Sequence, residues 1–176
     1  RERADSLPGA GCSNASKLGS VEVETPVLAE RLRGFLYLAQ QDDPATKAKG
    51  AENPFDSLLA LYIVAKLPSR GILVKIPGKV EPDPRTGQLV SSFDDLPQLP
   101  FSKLTLSFRE GARSALVTPA ACGAYETAAS FVPYSALDPD DPTPAEIARS
   151  KSTFTITQGV GGGPCATGGL PPFKPA

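Results

Sequence analysis

The chain has 176 residues, and its 18 basic and 19 acidic side chains leave a formal net charge of −1 at pH 7. That balance, without clustered Lys or Arg, excludes a nucleic-acid footprint, and 40% apolar content predicts a folded chain. His is absent, which excludes Ser-His-Asp triads, Cys-His dyads and His-ligated zinc sites.

Proline and glycine together make up about a fifth of the chain, with 19 Pro and 16 Gly. Both residues break helices and form turns, so their spread favours short strands joined by loops. No apolar run reaches the roughly 18 residues of a transmembrane helix, and we expect no membrane insertion. Met is absent even at position 1, so we expect a piece of a longer chain whose neighbouring domains are its partners.

Short apolar runs bounded by Gly and Pro predict strands along most of the chain. In the run Leu32–Leu38, for example, Phe35 and Tyr37 fall on one face, and Leu36 and Leu38 on the other. In chain order the predicted strands are Val21–Glu24, Leu32–Leu38, Leu58–Ala65, Ile72–Ile76, Leu104–Phe108, Ala115–Val117, Thr127–Val132 and Thr153–Thr157.

Two local signals add a hairpin and a helix. The segment Val80–Val90 predicts a β-hairpin, because Pro84 presets φ for a type I turn and Gly87 can take a positive φ. One short helix is predicted over Pro144–Arg149, with Thr143 as its cap and a proline at its first position. The fold class is therefore all-β with at most one short helix. A β-sandwich fits the strand spacing, and a jelly roll is one version of it.

The strand pattern predicts one sandwich domain over residues 1–158 and a Gly/Pro-rich tail over residues 159–176. Cys122 follows a turn and Cys165 lies in the tail, so a disulfide between them would pin the tail. It would close a loop of about 44 residues and contribute about 4 kcal/mol. Cys12 would be left for a partner outside the chain. Such a bond indicates an oxidising, extracellular location, and three buried free thiols are the alternative.

Acidic loops are the candidate metal and hydrolytic sites. Asp138, Asp140 and Asp141 carry oxygen ligands that Ca²⁺ could use, but the EF-hand pattern is absent and a plain acidic loop is the alternative. Asp94–Asp95 and Asp140–Asp141 are pairs of adjacent acids. Glycoside hydrolases use paired carboxylates. Adjacent strand residues point to opposite faces, so neither pair forms a site alone. We predict no catalytic residue, no metal and no cofactor.

Exposed aromatic rings are the other candidate site. Trp is absent, and Tyr37 and Tyr62 fall in apolar runs that assign them to the core. Tyr125 and Tyr134 flank the Thr127–Val132 strand and could be exposed. They are the candidate ligand platform, and ordinary packing is the alternative.

A family likeness is carried by several segments, of which Phe93–Phe101 (FDDLPQLPF) is fairly specific. The others are Ala15–Val21, Gly34–Ala39, Asn53–Phe55, Gly78–Leu89 and Thr118–Gly123. Together they resemble a module found in large secreted or surface proteins of actinobacteria, over nearly the whole chain. The resemblance implies a β-rich extracellular segment of a longer protein and carries over no functional residues. The Pro144–Lys151 stretch departs from it, because a shorter polar loop is expected there.

The Phe93–Phe101 run also has a structural reading. Pro97 and Pro100 prevent a regular central strand. Its apolar residues could tuck a connection under the sandwich, and a recognition loop is the alternative. The residues concerned are Phe93, Leu96, Leu99 and Phe101.

Three functional hypotheses follow. The first is a non-catalytic structural or adhesive module of a larger secreted or cell-envelope protein. The second is a module that binds carbohydrate or an envelope polymer, which exposed Tyr or Phe rings beside a groove would favour. The third is a glycoside hydrolase, which requires two carboxylates about 5 to 10 Å apart across a cleft.

Overall fold

The computed structural model divides the chain into two compact units, Arg1–Ala115 and Leu116–Ala176. The sequence instead placed its boundary between residues 158 and 159, and the single sandwich domain stays a prediction. The predicted tail beyond residue 165 lies outside the described residues. The structure describes residues 12–39, 57, 59–94, 96–111, 114–119, 121–138 and 140–165.

The first unit contains a curled antiparallel sheet of six strands in the described part of the chain. The strands are β1 (Lys17–Glu24), β2 (Leu32–Ala39), β3 (Leu59–Leu67), β4 (Ile72–Pro82), β5 (Leu89–Ser92) and β6 (Lys103–Phe108). Their order is β5-β4-β3-β2-β1-β6, so each of the first four strands pairs with the next one along the chain. The chain then returns to pair β6 with β1. All five strands predicted in this unit up to residue 108 are present, most of them longer than expected.

One face of this sheet, here called the core face, carries the apolar core. Directly paired residues of an antiparallel sheet point to the same face, and Leu36 pairs with Ile63, which pairs with Ile76. Leu36 is 2% exposed and Val21 is 1% exposed. Burying such a side chain contributes about 1.5 to 3 kcal/mol. Two clusters form this core: Val21, Leu36, Leu61, Ile63 and Val80, and then Leu32, Ala65 and Leu67.

The hairpin predicted between residues 80 and 90 is confirmed as β4, a tight turn and β5. The Oδ1 atom of Asp83 accepts the N–H groups of Arg85 at 2.9 Å and Thr86 at 2.8 Å. The N–H of Asp83 donates to the carbonyl of Gln88 at 2.7 Å. Gly87 takes a φ of 71°, as the turn requires. Local side-chain chemistry therefore closes this turn.

The loop after β5 is only partly tucked against the core. Phe93 packs against the first core cluster, over Gly78, where a Cβ would overlap its ring. Leu99 and Phe101 are instead 60% and 43% exposed. The expected packing of this run is therefore confirmed for Phe93 and wrong for the two later residues. The carbonyl of Pro100 accepts the hydroxyl of Thr25 at 2.7 Å, so polar contacts with the end of β1 hold this part of the loop.

The second unit contains one two-stranded antiparallel sheet among its described residues, formed by β7 (Gly123–Phe131) and β8 (Ala148–Ile156). The predicted disulfide is confirmed, because Cys122 is bonded to Cys165 with the two Cα atoms 5.5 Å apart. It joins the residue just before β7 to the segment after β8. Cys12 is a free thiol and is half-buried.

Two predicted elements of this part of the chain are wrong. Residues 144–146 form a turn and β8 begins at Ala148, so the predicted helix Pro144–Arg149 is absent. Pairing of Ala148 with Phe131 continues the ladder and overrides the local helix signal. The predicted strand Ala115–Val117 is irregular chain. Leu116 and Val117 are 44% and 89% exposed, so these residues lack the half-buried surface on which a strand packs. The all-β class itself is confirmed.

Candidate functional site

The two tyrosines predicted as a platform lie in the second unit. Tyr125 is half-buried in β7, and its ring stacks on Phe154 of β8 with centroids 5.8 Å apart and planes at 27°. Its hydroxyl donates to the carbonyl of Ala121 at 2.7 Å. Tyr134 follows β7 in a turn and is 50% exposed. Tyr125 thus holds its own hairpin together, and a platform made with Tyr134 stays a prediction.

The acidic candidates are placed as turn-forming residues. The Oδ1 atom of Asp138 accepts the N–H groups of Asp140 at 3.0 Å and Asp141 at 3.4 Å. Within the described residues, no group of three or more His, Cys, Asp or Glu could hold a metal ion. Asp94 is exposed, and Asp95 lies outside the described residues. The sequence-based hydrolytic pair is therefore untested.

Glu146, in the turn before β8, accepts three hydrogen bonds. Its carboxylate accepts the N–H of Leu137 at 2.9 Å, and the hydroxyl and N–H of Thr143 at 2.7 and 2.9 Å. The Leu137 N–H, followed by the Thr143 hydroxyl, holds the pKa of Glu146 below its ordinary value. Thr143, which the sequence predicts as a helix cap, therefore binds Glu146 within a loop.

The second face of the six-stranded sheet, here called the polar face, carries a groove of about 490 Å³. Strand register builds it from side chains of β6, β1, β2 and β3. One cross-strand row consists of Ser107, Ser20, Phe35 and Val64. The neighbouring row consists of Thr105, Glu22, Arg33 and Lys66. All eight line the groove, and Tyr37 lines it as well.

An aromatic–lysine patch lies on this face and shares two residues with the groove; it consists of Lys17, Phe35, Tyr37, Tyr62 and Lys75. The Nζ atom of Lys17 is 3.6 Å from the ring centroid of Phe35 and 5.9 Å from that of Tyr37. The Nζ atom of Lys75 is 4.1 Å from the ring centroid of Tyr62. Such cation–π contacts contribute about 0.5 to 1 kcal/mol each at exposed sites, and they position the two ammonium groups.

Phe35 is the exposed ring of the patch, at 36% exposure, whereas Tyr37 is only 4% exposed. The two rings meet edge to face, with centroids 6.1 Å apart. Val64, which pairs with Phe35 on the adjacent strand, is 1% exposed. Tyr37 and Val64 thus form a packed base, and Phe35 presents its ring to solvent at the groove wall.

An ion-pair network borders the groove. Glu22 binds Arg33 at 3.1 Å through Oε1 and Arg31 at 3.6 Å through Oε2. Arg31 also binds Glu24 at 3.1 Å. The guanidinium side chains are 54% and 71% exposed, so the pairs add little stability, about 0 to 1 kcal/mol each. Their effect is to engage both oxygens of Glu22.

Basic residues outnumber acidic ones on the polar face. The basic residues that alternation and register place there are Lys17, Arg33, Lys66, Lys75, Lys79 and Lys103. The acidic ones are Glu22, Glu24 and Glu81. The whole chain has a net charge of −1, so this face is locally enriched in positive charge.

Sequence reasoning did not find this site. It correctly put Phe35 and Tyr37 on one face of a strand. Its assignment of Tyr37 to the core is confirmed, because Tyr37 is 4% exposed, whereas Tyr62 is half-buried. The available signal was the alternation of Lys75 and Lys79 with apolar residues in one strand, which indicates a polar face. Only the register shows that this face is shared with the aromatic rings.

Comparisons with known proteins identified no relative of this chain. No family model matches the chain, and the searches of curated proteins and of solved structures found no match. Within the described ranges, no helix has the length and apolar character needed to cross a membrane.

Proposed function

We propose that the chain is a non-catalytic adhesive module of a larger secreted or cell-envelope protein, and that it works by surface contact. The observation that carries this proposal is the exposed ring of Phe35 at the wall of the groove, with the ammonium of Lys17 above it. An aromatic ring supported by buried neighbours offers a rigid contact at little entropic cost. Contact residues of this kind concentrate binding energy.

The extracellular location in this proposal has two supports. Disulfides persist in oxidising compartments, and the Cys122–Cys165 bond is consistent with one. The resemblance to surface modules of actinobacteria points to the same compartment. The partners would then be neighbouring domains of the parent chain and the envelope material around it.

Binding of carbohydrate or an envelope polymer is the more specific version of this function. It is favoured by the hydroxyl groups of Ser20, Thr105 and Ser107, which share the groove with Phe35. Hydroxyl groups both donate and accept hydrogen bonds, as sugar hydroxyls do. A hydrolase would need two free carboxylates. Glu22, the acid that lines the groove among the described residues, has both oxygens engaged by arginines.

Cosedimentation with purified actinobacterial cell-wall fragments tests the proposed function. We expect Phe35→Ala to lower the bound fraction about fivefold, because it removes the exposed ring. Phe108→Ala is the matched control, since Phe108 is 38% exposed but belongs to the core face by its pairing with Gly19. Equal binding by both variants and the parent, or no binding at all, would contradict the proposal. New reducing ends released during incubation would establish the hydrolase instead.

A further inference from the structure

We infer that the ligand of the groove is an acidic glycan, a sugar polymer bearing carboxylates, and that Lys17 and Lys75 bind its charges. The two lysines adjoin the groove without lining it: Lys17 lies over the ring of Phe35, and Lys75 pairs with Val64. This inference rests on the proposed adhesive function and names its ligand class. It draws on the aromatic–lysine patch, the hydroxyl groups of the groove and the charge of the polar face.

The position of Lys17 argues against a neutral sugar. A neutral sugar ring binds an aromatic side chain by stacking on its face. The Nζ atom of Lys17 is 3.6 Å from the centroid of Phe35, so the ammonium occupies one face of this ring. The ring therefore serves to hold a cation at the groove wall. A cation held in place at low entropic cost is suited to an anionic group of the ligand.

The remaining groove chemistry argues for a sugar that carries the anion. Ser20 pairs directly with Ser107, and Glu22 pairs with Thr105, so three hydroxyl side chains lie together on β1 and β6. These groups can exchange hydrogen bonds with ligand hydroxyls. A simple anion would use the lysines alone, whereas an acidic sugar uses the lysines and the hydroxyl row.

The spacing of the lysines argues for a polymer. Lys17 is on β1 and Lys75 is on β4, so three inter-strand steps separate them, roughly 14 Å along the sheet. A single carboxylate cannot contact both. Lys103 on β6 and Lys79 on β4 extend the positive charge at either side of this path. An oligosaccharide that crosses the strands would meet a cation at each end.

The test is a titration of the intact, oxidised chain with a hexameric oligouronate, followed by NMR shifts and calorimetry. The comparators are a neutral hexasaccharide, a poly(glycerol phosphate) and a single-stranded DNA of matched charge. We expect the oligouronate to bind best, with shifts centred on Ser20, Phe35 and Ser107. Binding should weaken as salt rises, because the contacts are ionic and exposed.

Variants at the two lysines locate the interaction. Lys17→Gln and Lys75→Gln should each weaken oligouronate binding about tenfold, as expected for loss of a charge-assisted hydrogen bond. Lys17→Arg should retain most of the affinity, since it keeps the cation. Arg85→Gln is the control, because it removes one positive charge from the turn after β4, which belongs neither to the groove nor to the aromatic–lysine patch. Thermal melts of every variant check folding.

The outcomes distinguish a failure of the acidic-glycan inference from a failure of the proposed adhesive function. Equal loss in Arg85→Gln, or tighter binding of the neutral sugar, the phosphate polymer or the DNA, would overturn the acidic-glycan inference. In those cases the adhesive function still stands if the chain sediments with cell-wall fragments and Phe35→Ala weakens that binding. If it binds neither fragments nor any comparator, both are overturned.

Discussion

At the scale of single residues, the turn acid Asp83 offers the sharpest test. Its carboxylate accepts the N–H groups of Thr86 and Arg85 and the hydroxyl of Thr86. The Thr86 N–H first, and then the Arg85 N–H, hold the pKa of Asp83 below its ordinary value of 3.8. The charged form is therefore favoured in the folded chain, and protonation weakens the turn.

The pH dependence of unfolding follows from that direction. A group whose pKa is lower in the folded state stabilises the fold above its unfolded pKa, and that stability is lost as pH falls through the folded pKa. Asp83→Ala should therefore unfold more easily near neutral pH and show a shallower loss of stability below about pH 4. Urea denaturation at a series of pH values measures this. A parallel pH dependence in the parent and the variant would contradict it.

The residues of the groove show why a site is harder to predict than a turn. Asp83 acts on residues two and three positions away, so its effect can be recognised within a short segment. Lys17, Phe35 and Lys75 come from three strands, and only strand register brings them onto one face. A shift of one residue in any pairing would move a side chain to the core face. The sequence alone contains no direct measure of that register.

At the scale of elements, local sequence patterns predicted secondary structure correctly where strand pairing supported the predicted element. The strand Leu104–Phe108 was predicted by its alternation, and β6 contains it because β1 offers an edge. The helix at Pro144–Arg149 was predicted from an equally clear cap. Thr143 and Glu146 do contact each other, but pairing with β7 takes the chain into a strand two residues later. Tertiary pairing outweighs a cap of about 1 kcal/mol.

The two-stranded sheet of β7 and β8 depends on the Cys122–Cys165 disulfide for its stability. A two-stranded hairpin is marginally stable by itself. Its cross-strand contacts include the stacked Tyr125–Phe154 pair and the Lys151–Glu126 ion pair at 2.9 Å. Contacts of this kind contribute about 0.2 to 1 kcal/mol each.

Breaking the disulfide should therefore loosen this hairpin selectively. Cys122→Ser should destabilise it by about 4 kcal/mol, the chain-entropy value for a loop of about 44 residues. Hydrogen exchange should show faster exchange of amides in β7 and β8, with β2 and β3 unchanged. Cys12→Ser is the matched control, since Cys12 is a free thiol, and it should leave both regions as in the parent. Unchanged hydrogen-exchange protection of β7 and β8 in Cys122→Ser would contradict this role of the disulfide.

At the scale of the whole molecule, the two units differ in what stabilises them. The first has a sheet of six strands and two apolar clusters on its core face. In the second, Ala136 is the buried apolar residue among those that the structure describes. The groove and the patch belong entirely to the first unit. We therefore expect the first unit to fold and to bind the ligand by itself. We expect the second unit to fold only when its disulfide is formed.

Separate expression of the two units tests this division. The fragment 1–115 should fold alone, because its sheet and both clusters are complete within it, and its amide spectrum should match that of the whole chain. The fragment 116–176 should give dispersed amide signals only when Cys122 and Cys165 are oxidised, because a disulfide offsets a small core. An unfolded first fragment would mean that residues after 115 supply essential stability. A second fragment that stays folded after reduction would mean that its contacts suffice without the bond.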